Sequence, residues 1–459
     1  MPYAIFEIAK NTLLAQQVAM QVVGHNIANT HTDGYVRQVP VMQALPGALG
    51  DGNLQSVGHG ATVGAVVRLQ NAFANIQLNR QVALMGEAGV SEEMLAQVEA
   101  IFTEFTEIGI MDNMTRMFTA FSDIGTDPTS LAPRYEAVVR ATLLADTVAG
   151  RQANLQSIRV EIDNRMAETV REANRLAHEI AELNCKVIEA ANDTTINDLK
   201  SVRESAMKQL AKLTGAYFIE QPSGQIDVMI GGDRIVQSAY VTELSLKLDP
   251  ANPGMRKVCL GTEEDPDGLG GELVGLQNVR DQAIPMYMAK LDVFAQTLAD
   301  AVNAIHATGH DLYGNAGGDF FTYDPSCPAL SLVVNLAIEA DPQLIAASNS
   351  ATAPGDGSIA SAISHLRDTK IFAGGLFSPS EYYADLVAQL GSDTRAAADA
   401  LAARTAVVES LRIDYEARSG VSLDEEATEL LRYQQVYNAA AHLMRVSEDM
   451  MNALFAIAR

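Results

Sequence analysis

The most regular pattern in the chain runs from Ile162 to Ala190, where Ile162, Met166, Thr169, Ala173, Leu176, Ile180, Leu183, Val187 and Ala190 alternate spacings of four and three. A seam of that period predicts a long helix packed in a bundle or coiled coil. Ile284, Met288, Leu291, Ala295, Leu298, Val302 and Ile305 repeat the spacing and form its candidate partner. Pro285 stands near the start of this second run, where it fits a first turn or kinks a longer helix. Between the two runs the period falls to two. Tyr217 to Gln221, the turn Pro222-Ser223-Gly224, and the alternation of Ile226, Val228 and Ile230 before Gly231-Gly232 read as a hairpin. A third strand is expected through Val241 to Leu248. Residues 214–270 therefore form a β-rich insert, bounded by the acidic Glu263 to Gly271 stretch.

The two ends are patterned differently. The first fifty residues hold four charged side chains, Glu7, Lys10, Asp33 and Arg37, while Ile5, Ile8, Leu13, Leu14, Val18, Val22 and Val23 recur at helical spacing. Such a helix exposes more apolar surface than a soluble monomer tolerates, so it needs a partner. Asn, Thr, Asp and Gly from Asn29 to Gly34 end it. At the other end Leu430, Tyr437, Met444, Met451 and Ala458 repeat at intervals of seven, with Ala427, Gln434, Ala441, Glu448 and Phe455 as the adjoining column. Gly58, Gly60 and Gly64 lack nucleotide-loop spacing and predict a turn into a short strand around Val63, Val66 and Val67. Gly309 to Ser380 reads as irregular, with a strand at Leu330 to Ile338, and helix resumes near Tyr382. The fold class is mainly α with a β-rich insert. Its expected division is a terminal helical domain (1–55 with 420–459), a helical bundle with irregular loops (56–213 with 271–419), and the insert (214–270).

Composition narrows the function. At 459 residues the chain exceeds what one core usually supports, and the absence of Trp with only 6% aromatic residues favours long helices. A net charge of −25 without a basic patch argues against general nucleic-acid binding. Cys185, Cys259 and Cys327 show no metal-site spacing. Glu7 and Lys10 interrupt any cleavable signal core, and no apolar run reaches membrane-spanning length. His306 and His310 share a helical face, but Gly309 weakens it and no H-E-x-x-H is present. Asp265, Asp267 and Glu272 lack the full calcium-loop pattern and read as a solvated acidic loop. No nucleophile signature emerges. The sequence therefore predicts no catalysis, metal or cofactor, and directs attention to the two terminal seams.

Those ends carry a resemblance. Leu14-Ala15, then Gly24-His25-Asn26-Ile27-Ala28-Asn29-Thr30 and Asp33-Gly34-Tyr35-Val36-Arg37-Gln38, resemble the N-terminal signature of flagellar rod, hook and hook-associated axial proteins. The run Ser419-Gly420-Val421-Ser422-Leu423-Asp424-Glu425-Glu426, followed by Leu430, Tyr433-Gln434, Tyr437 and Ala439 to Ala441, is more discriminating. It is similar to that of the hook-associated protein 1 family. Leu269-Gly270-Gly271 and Gly317-Gly318-Asp319-Phe320-Phe321 agree with it. His25 and Val36 depart from the family's usual residues, and the variable β region is reduced.

The resemblance implies a structural subunit of the bacterial flagellum that polymerises as a ring at the hook–filament junction and joins hook to filament. Its terminal helices would form an inner α-helical tube, with the helical middle around it and the β-rich insert outermost. Assembly contacts would fall on Ile8, Ala15, Val22, Asn26, Asn29, Gly34, Tyr35, Arg37, Leu430, Tyr437, Met444 and Met451. The implied partners are further copies of the chain, the hook protein, and the second junction protein, hook-associated protein 3. A cytoplasmic export chaperone would cover Leu430, Tyr437, Met444, Met451 and Phe455. The flagellar type III export apparatus would then carry the chain, transiently cytoplasmic, to the extracellular flagellum. The alternatives are a hook or distal-rod axial subunit and a soluble secreted coiled-coil interaction module. For each apolar terminal position the alternative is packing inside its own bundle.

Overall fold

In a computed structural model, which describes residues 2–32, 34–46, 58–102, 109–190, 192–261, 263–264 and 268–457, the chain begins with α1 (Pro2–Ala28). Helix α1 ends because the Asn29 side chain turns back to donate to the His25 carbonyl at 3.0 Å, and Gly34 takes the left-handed φ of +77°. An antiparallel hairpin follows, β1 (Gln38–Ala44) and β2 (Ala61–Arg68), paired from Gln38 with Arg68 to Ala44 with Ala61. Strand β2 is the one read around Val63 to Val67. Strand β1 was not read, because its buried positions carry Gln38 and Pro40.

Helices α2 (Ala72–Phe102), α3 (Ile110–Thr126), α4 (Leu131–Glu189) and α5 (Asp193–Thr214) build most of the body. The 59 residues of α4 span roughly 88 Å at 1.5 Å per residue. From α5 the chain passes into a four-stranded antiparallel sheet, β3 (Tyr217–Glu220), β4 (Ile226–Ile230), β5 (Asp233–Gln237) and β6 (Tyr240–Val241). A three-stranded sheet follows, β7 (Leu244–Leu248), β8 (Arg256–Leu260) and β9 (Glu263–Glu264). The single strand expected over Val241 to Leu248 is thus divided between two sheets. Asn174 on α4 causes the break by holding both backbone groups of Leu244, at 2.8 and 2.9 Å. Fully buried Asn184 does the same for Ile226, at 2.8 and 2.9 Å. The calcium-loop candidates Asp265 and Asp267 lie outside the described residues.

The chain returns through α6 (Gly271–Asn278), a π-turn (Val279–Ala283) and α7 (Ile284–His306). The outgoing and returning segments touch. Gly270 donates its amide to the Thr214 carbonyl at 2.9 Å, and a Cβ on Gly215 would come within 2.7 Å of the Gly270 Cα. Pro285 sits in the first turn of α7, and the wide turn before it relieves the clash its ring would otherwise make.

The predicted pairing of the two seams is corrected by the packing. Arg280, just before α7, meets Asp163, and Asp292 meets Gln152, so α7 runs back along the N-terminal half of α4. The Ile162 to Val187 seam is instead covered by α5, α6 and the strands. The joint is a buried ion pair: Arg280, fully buried, donates to Asp163 at 2.6 Å and clasps Asp281 with two bonds of 2.8 Å, while Arg256 of β8 donates to Asp163 at 2.6 Å.

After α7 come β10 (Phe321–Thr322), α8 (Pro328–Ser331), β11 (Val333–Val334), α9 (Leu336–Ala340) and α10 (Ser358–His365). The strand expected at Leu330 to Ile338 is corrected to two short helices around a two-residue strand. Pro328 starts the first helix, and the Asn335 side chain caps the second. His306 is buried with both ring nitrogens engaged, Nδ1 on the Gly318 carbonyl at 2.7 Å and Nε2 on the Ala346 amide at 2.8 Å, which leaves no lone pair for a metal. Finally α11 (Pro379–Ser419) starts at a Ser378/Glu381 capping box, three residues before the expected Tyr382, and α12 (Leu423–Ile457) closes the described chain. No helix among the described residues is long and apolar enough to cross a membrane.

Candidate assembly interface

Helices α1 and α12 lie antiparallel. Asn26, near the end of α1, meets Glu426 in the first turn of α12. One heptad back along α1 and one heptad forward along α12, Ala19 packs with Tyr433. The buried positions of α12 are Glu426, Tyr433, Ala440 and Ser447, alternating with half-buried Leu430, Met444 and Met451. The predicted Leu430 column is therefore one of the two columns of the seam. The other is not the predicted Ala427 column, of which Ala427, Gln434, Glu448 and Phe455 are exposed. A column of Glu, Ala and Ser carries no apolar signal, which is why it escaped notice. On α1 the facing stripe includes Ala9, Ala15, Gln16, Ala19, Val22, Val23 and Asn26, and the Gln16 side-chain oxygen finds no partner among the described residues.

At the corner where α1, β1 and α12 meet, the two signature motifs are joined by hydrogen bonds. Asn26, 1% exposed, uses its whole amide: Nδ2 donates to the Gln38 carbonyl at 2.8 Å and to Glu426 Oε2 at 3.0 Å, while Oδ1 accepts from the Gln38 amide at 3.0 Å and the Tyr35 hydroxyl at 2.9 Å. Because Tyr35 spends its one proton on Asn26, His25 must donate through Nδ1 to the Tyr35 oxygen, 3.0 Å away. Arg37 gives Nε to Glu426 at 2.6 Å and Nη1 to Glu425 at 2.7 Å, across 389 and 388 residues of sequence. The Arg37 amide also donates to the Ser419 carbonyl at 3.0 Å. Glu426 is 1% exposed, so its charge is held by Arg37 and Asn26 and not by water. Burial, reinforced by Asp198 and Glu426, pushes the Tyr35 hydroxyl well above the usual phenol range and keeps it a donor.

This corner is fastened to the body as well. Gln38 donates to Asp198 of α5 at 3.1 Å and accepts from Asn197 at 3.3 Å. The Arg68 guanidinium pairs with both oxygens of Glu204, at 3.0 and 2.6 Å. Tyr415 of α11, whose hydroxyl burial pushes up to about 12, lines the same cleft as Asn29, Thr30 and Gly34. Sequence reading had singled out Asn26, Tyr35, Arg37 and the Asp424-Glu425-Glu426 run, but had not joined them. Gln38 stood in the signature without a role of its own, and Asn197 and Asp198, in a stretch with no apolar period, gave no signal.

The remaining predicted residues are spread over the pair. Ala15 and Val22 are buried, Ile8 and Asn29 half-buried, Gly34 exposed. Tyr437 is 37% and Phe455 69% exposed. Beside the seam, Val436, Leu443, Val446, Met450 and Leu454 form a second apolar stripe on α12, all of it exposed. The arrangement holds helices together and leaves an apolar face open. Among the described residues, no group of three or more His, Cys, Asp or Glu side chains is placed to hold a metal ion.

A family model described as the flagellar hook-associated protein FlgK helical domain matches residues 95–321, and one described as the flagellar basal body rod FlgEFG protein C-terminal region matches residues 415–457. Flagellar hook-associated protein 1 of Bacillus subtilis (strain 168) is 23% identical over 97% of this chain and 96% of its own length. Its namesake in Escherichia coli (strain K12) is 22% identical over 98% of both. That of Salmonella typhimurium is 26% identical over 68% of this chain and 58% of its own length. In fold the chain is similar to the flagellar hook junction protein FlgK from Burkholderia pseudomallei, with a TM-score of 0.67 at 16% identity, over 75% of this chain and 100% of that one. With α12 matched by an axial-protein model, the body by the helical-domain model and nearly the whole chain by two relatives, the chain is similar to flagellar hook-associated protein 1 along nearly its whole length and is a structural component of the bacterial flagellum.

Proposed function

We propose that the chain polymerises as a ring at the hook–filament junction and joins hook to filament, acting as a structural part without catalysis. The observation that carries this reading is the exposed apolar stripe of α12, from Val436 to Leu454, beside a seam already filled by α1. A stripe of that length on a chain of net charge −25 calls for a protein partner. Copies of the chain, packed side by side with their terminal helices inward, cover it, and Tyr437 and Phe455 fall within that contact. Asn26, Tyr35 and Arg37 serve assembly indirectly, by presenting α12 at a fixed angle. The hook protein lies on one side of the ring and hook-associated protein 3 on the other.

Export follows the flagellar type III route from the cytoplasm to the extracellular flagellum. Leu430, Met444 and Met451 lie on the seam that α1 covers, so a chaperone holding them competes with α1. The chaperone-bound chain therefore keeps its terminal pair apart until export.

Deletion of the gene, with electron microscopy of the cells and assay of flagellin in the medium, tests the proposal. Hooks without filaments, and flagellin lost to the medium, are expected. Cells without hooks would move the chain to the rod or hook. Normal filaments would leave a coiled-coil interaction module as the reading.

A further inference from the structure

Among the described residues three arginines are buried, Arg134, Arg203 and Arg280, and two of them are fully engaged. Arg280 holds Asp163 and Asp281, and Arg134 gives Nε, Nη1 and Nη2 to the Pro128 and Ile345 carbonyls. Arg203 of α5 differs. It makes a single side-chain hydrogen bond among the described residues, from Nη1 to Asn184 Oδ1 at 2.8 Å, and its Nε has no acceptor. The two carboxylates nearby are already taken, Glu204 by Arg68 at 3.0 and 2.6 Å and Glu220 by Lys200 at 3.0 Å. Burial brings the Arg203 guanidinium down to about 10, although Glu220 and Glu204 pull the other way. Water satisfies an N–H donor but does not balance a charge held among apolar groups. Arg203 also lines a cavity of about 180 Å³ between α2, α5 and the β3–β4 hairpin, with Met207, Phe218 and Ile226 as an apolar wall.

We propose that this cavity binds one carboxylate carried on a short aliphatic stem, with Arg203 as its counter-ion. Asn184 occupies Nη1 and so leaves the Nε and Nη2 edge of the guanidinium, two parallel donors whose spacing matches the two oxygens of a carboxylate. The apolar wall suits the stem. Glu204 and Glu220 also border the cavity, so a second negative charge on the ligand would meet repulsion, which disfavours dicarboxylates and phosphate dianions. Arg203 is placed by α5 and by Asn184 of α4, independently of the terminal helices. Two sources supply the same group: a free short-chain carboxylate, and a glutamate side chain of another copy. The inference goes beyond the junction reading and does not rest on it.

The test replaces sodium chloride by sodium propionate at constant ionic strength and follows thermal unfolding of the full chain by circular dichroism. The parent midpoint should rise and then level off, by about 2 °C at a tenfold excess over the dissociation constant. Arg203→Met should show no such rise. Its fold is retained because Asn184 still holds both backbone groups of Ile226. Arg203→Lys keeps the charge and loses the fork, so it should need several-fold more propionate, and it carries the test if the methionine variant does not fold. No saturable rise in the parent, an equal rise in Arg203→Met, or an unchanged midpoint concentration in Arg203→Lys would each overturn the proposal. Sedimentation of the parent then separates the two sources, and the site stands in either case. Oligomers that propionate dissociates, and that Arg203→Met does not form, assign it to a glutamate of another copy. Monomers throughout, or an association that propionate leaves unchanged, assign it to a free carboxylate. Gene deletion does not bear on these outcomes, so failure here is distinct from failure of the junction reading.

Discussion

The helical body and the terminal pair are both made of long helices, yet they are completed differently. Around α4 and α7, Leu291, Phe294, Leu298 and Val302 are fully buried in one continuous core. The α1–α12 pair has a separate small cluster of Ala19, Val23 and Tyr433, and leaves Leu14, Leu443 and Leu454 in water. The body is thus stable by itself, whereas the pair depends on a polar corner and on surfaces it has yet to meet.

Phe294→Ala should have the largest effect, lowering body stability by about 3–5 kcal/mol in urea unfolding followed by circular dichroism. An equal loss from Tyr433→Ala would erase the contrast. Asp163→Ala should cost about 3 kcal/mol, because Arg280 stays buried with only Asp281 as carboxylate partner, and exchange of amide hydrogens in β8 should quicken first. Glu426→Ala should release α12 at a cost of about 2 kcal/mol, reduced from the buried-pair figure by the partial exposure of Arg37. Exchange should then rise in α1 and α12 while α4 remains protected.

Acid should act on the body through His306. Burial holds its pKa below the ordinary imidazole value, so the folded state resists a proton that the unfolded chain accepts. The stabilisation is complete above about pH 6.5 and is lost below it, by up to about 1.4 kcal/mol per pH unit, until the folded pKa is reached. Urea unfolding at pH 5.5 and 7.5 should show this component in the parent and not in His306→Leu. The smallest stability effect belongs to Leu454→Ala. It should change unfolding of the chain by less than about 0.5 kcal/mol, yet raise the concentration needed for self-assembly several-fold.

The legible parts of this fold were those with a period and an apolar signal. The Ile162 to Val187 seam could be read because burial and hydrophobicity coincide there, and the hairpin because of its Pro222-Ser223-Gly224 turn and the buried alternation of Ile226, Val228 and Ile230. The N-terminal half of α4 went unread, since its buried positions include Arg134 and Gln152 as well as several alanines. Arg134 is sequestered enough for burial to bring its guanidinium down to about 10, an environment no periodicity announces. At the corner, the motifs were visible and their pairing was not. Arg37 and Glu426 are local features of two distant segments, and only the return of α12 along α1 gives them a common site.

Where Gly215 lies against Gly270, the seven strands leave and rejoin the helices through a single narrow doorway. Length added in the turns between those strands does not move α5 relative to α6, so the turns are free to grow while the strands that cover α4 keep their place. A foreign domain whose own ends lie close together fits such a turn without disturbing the helices that the doorway joins.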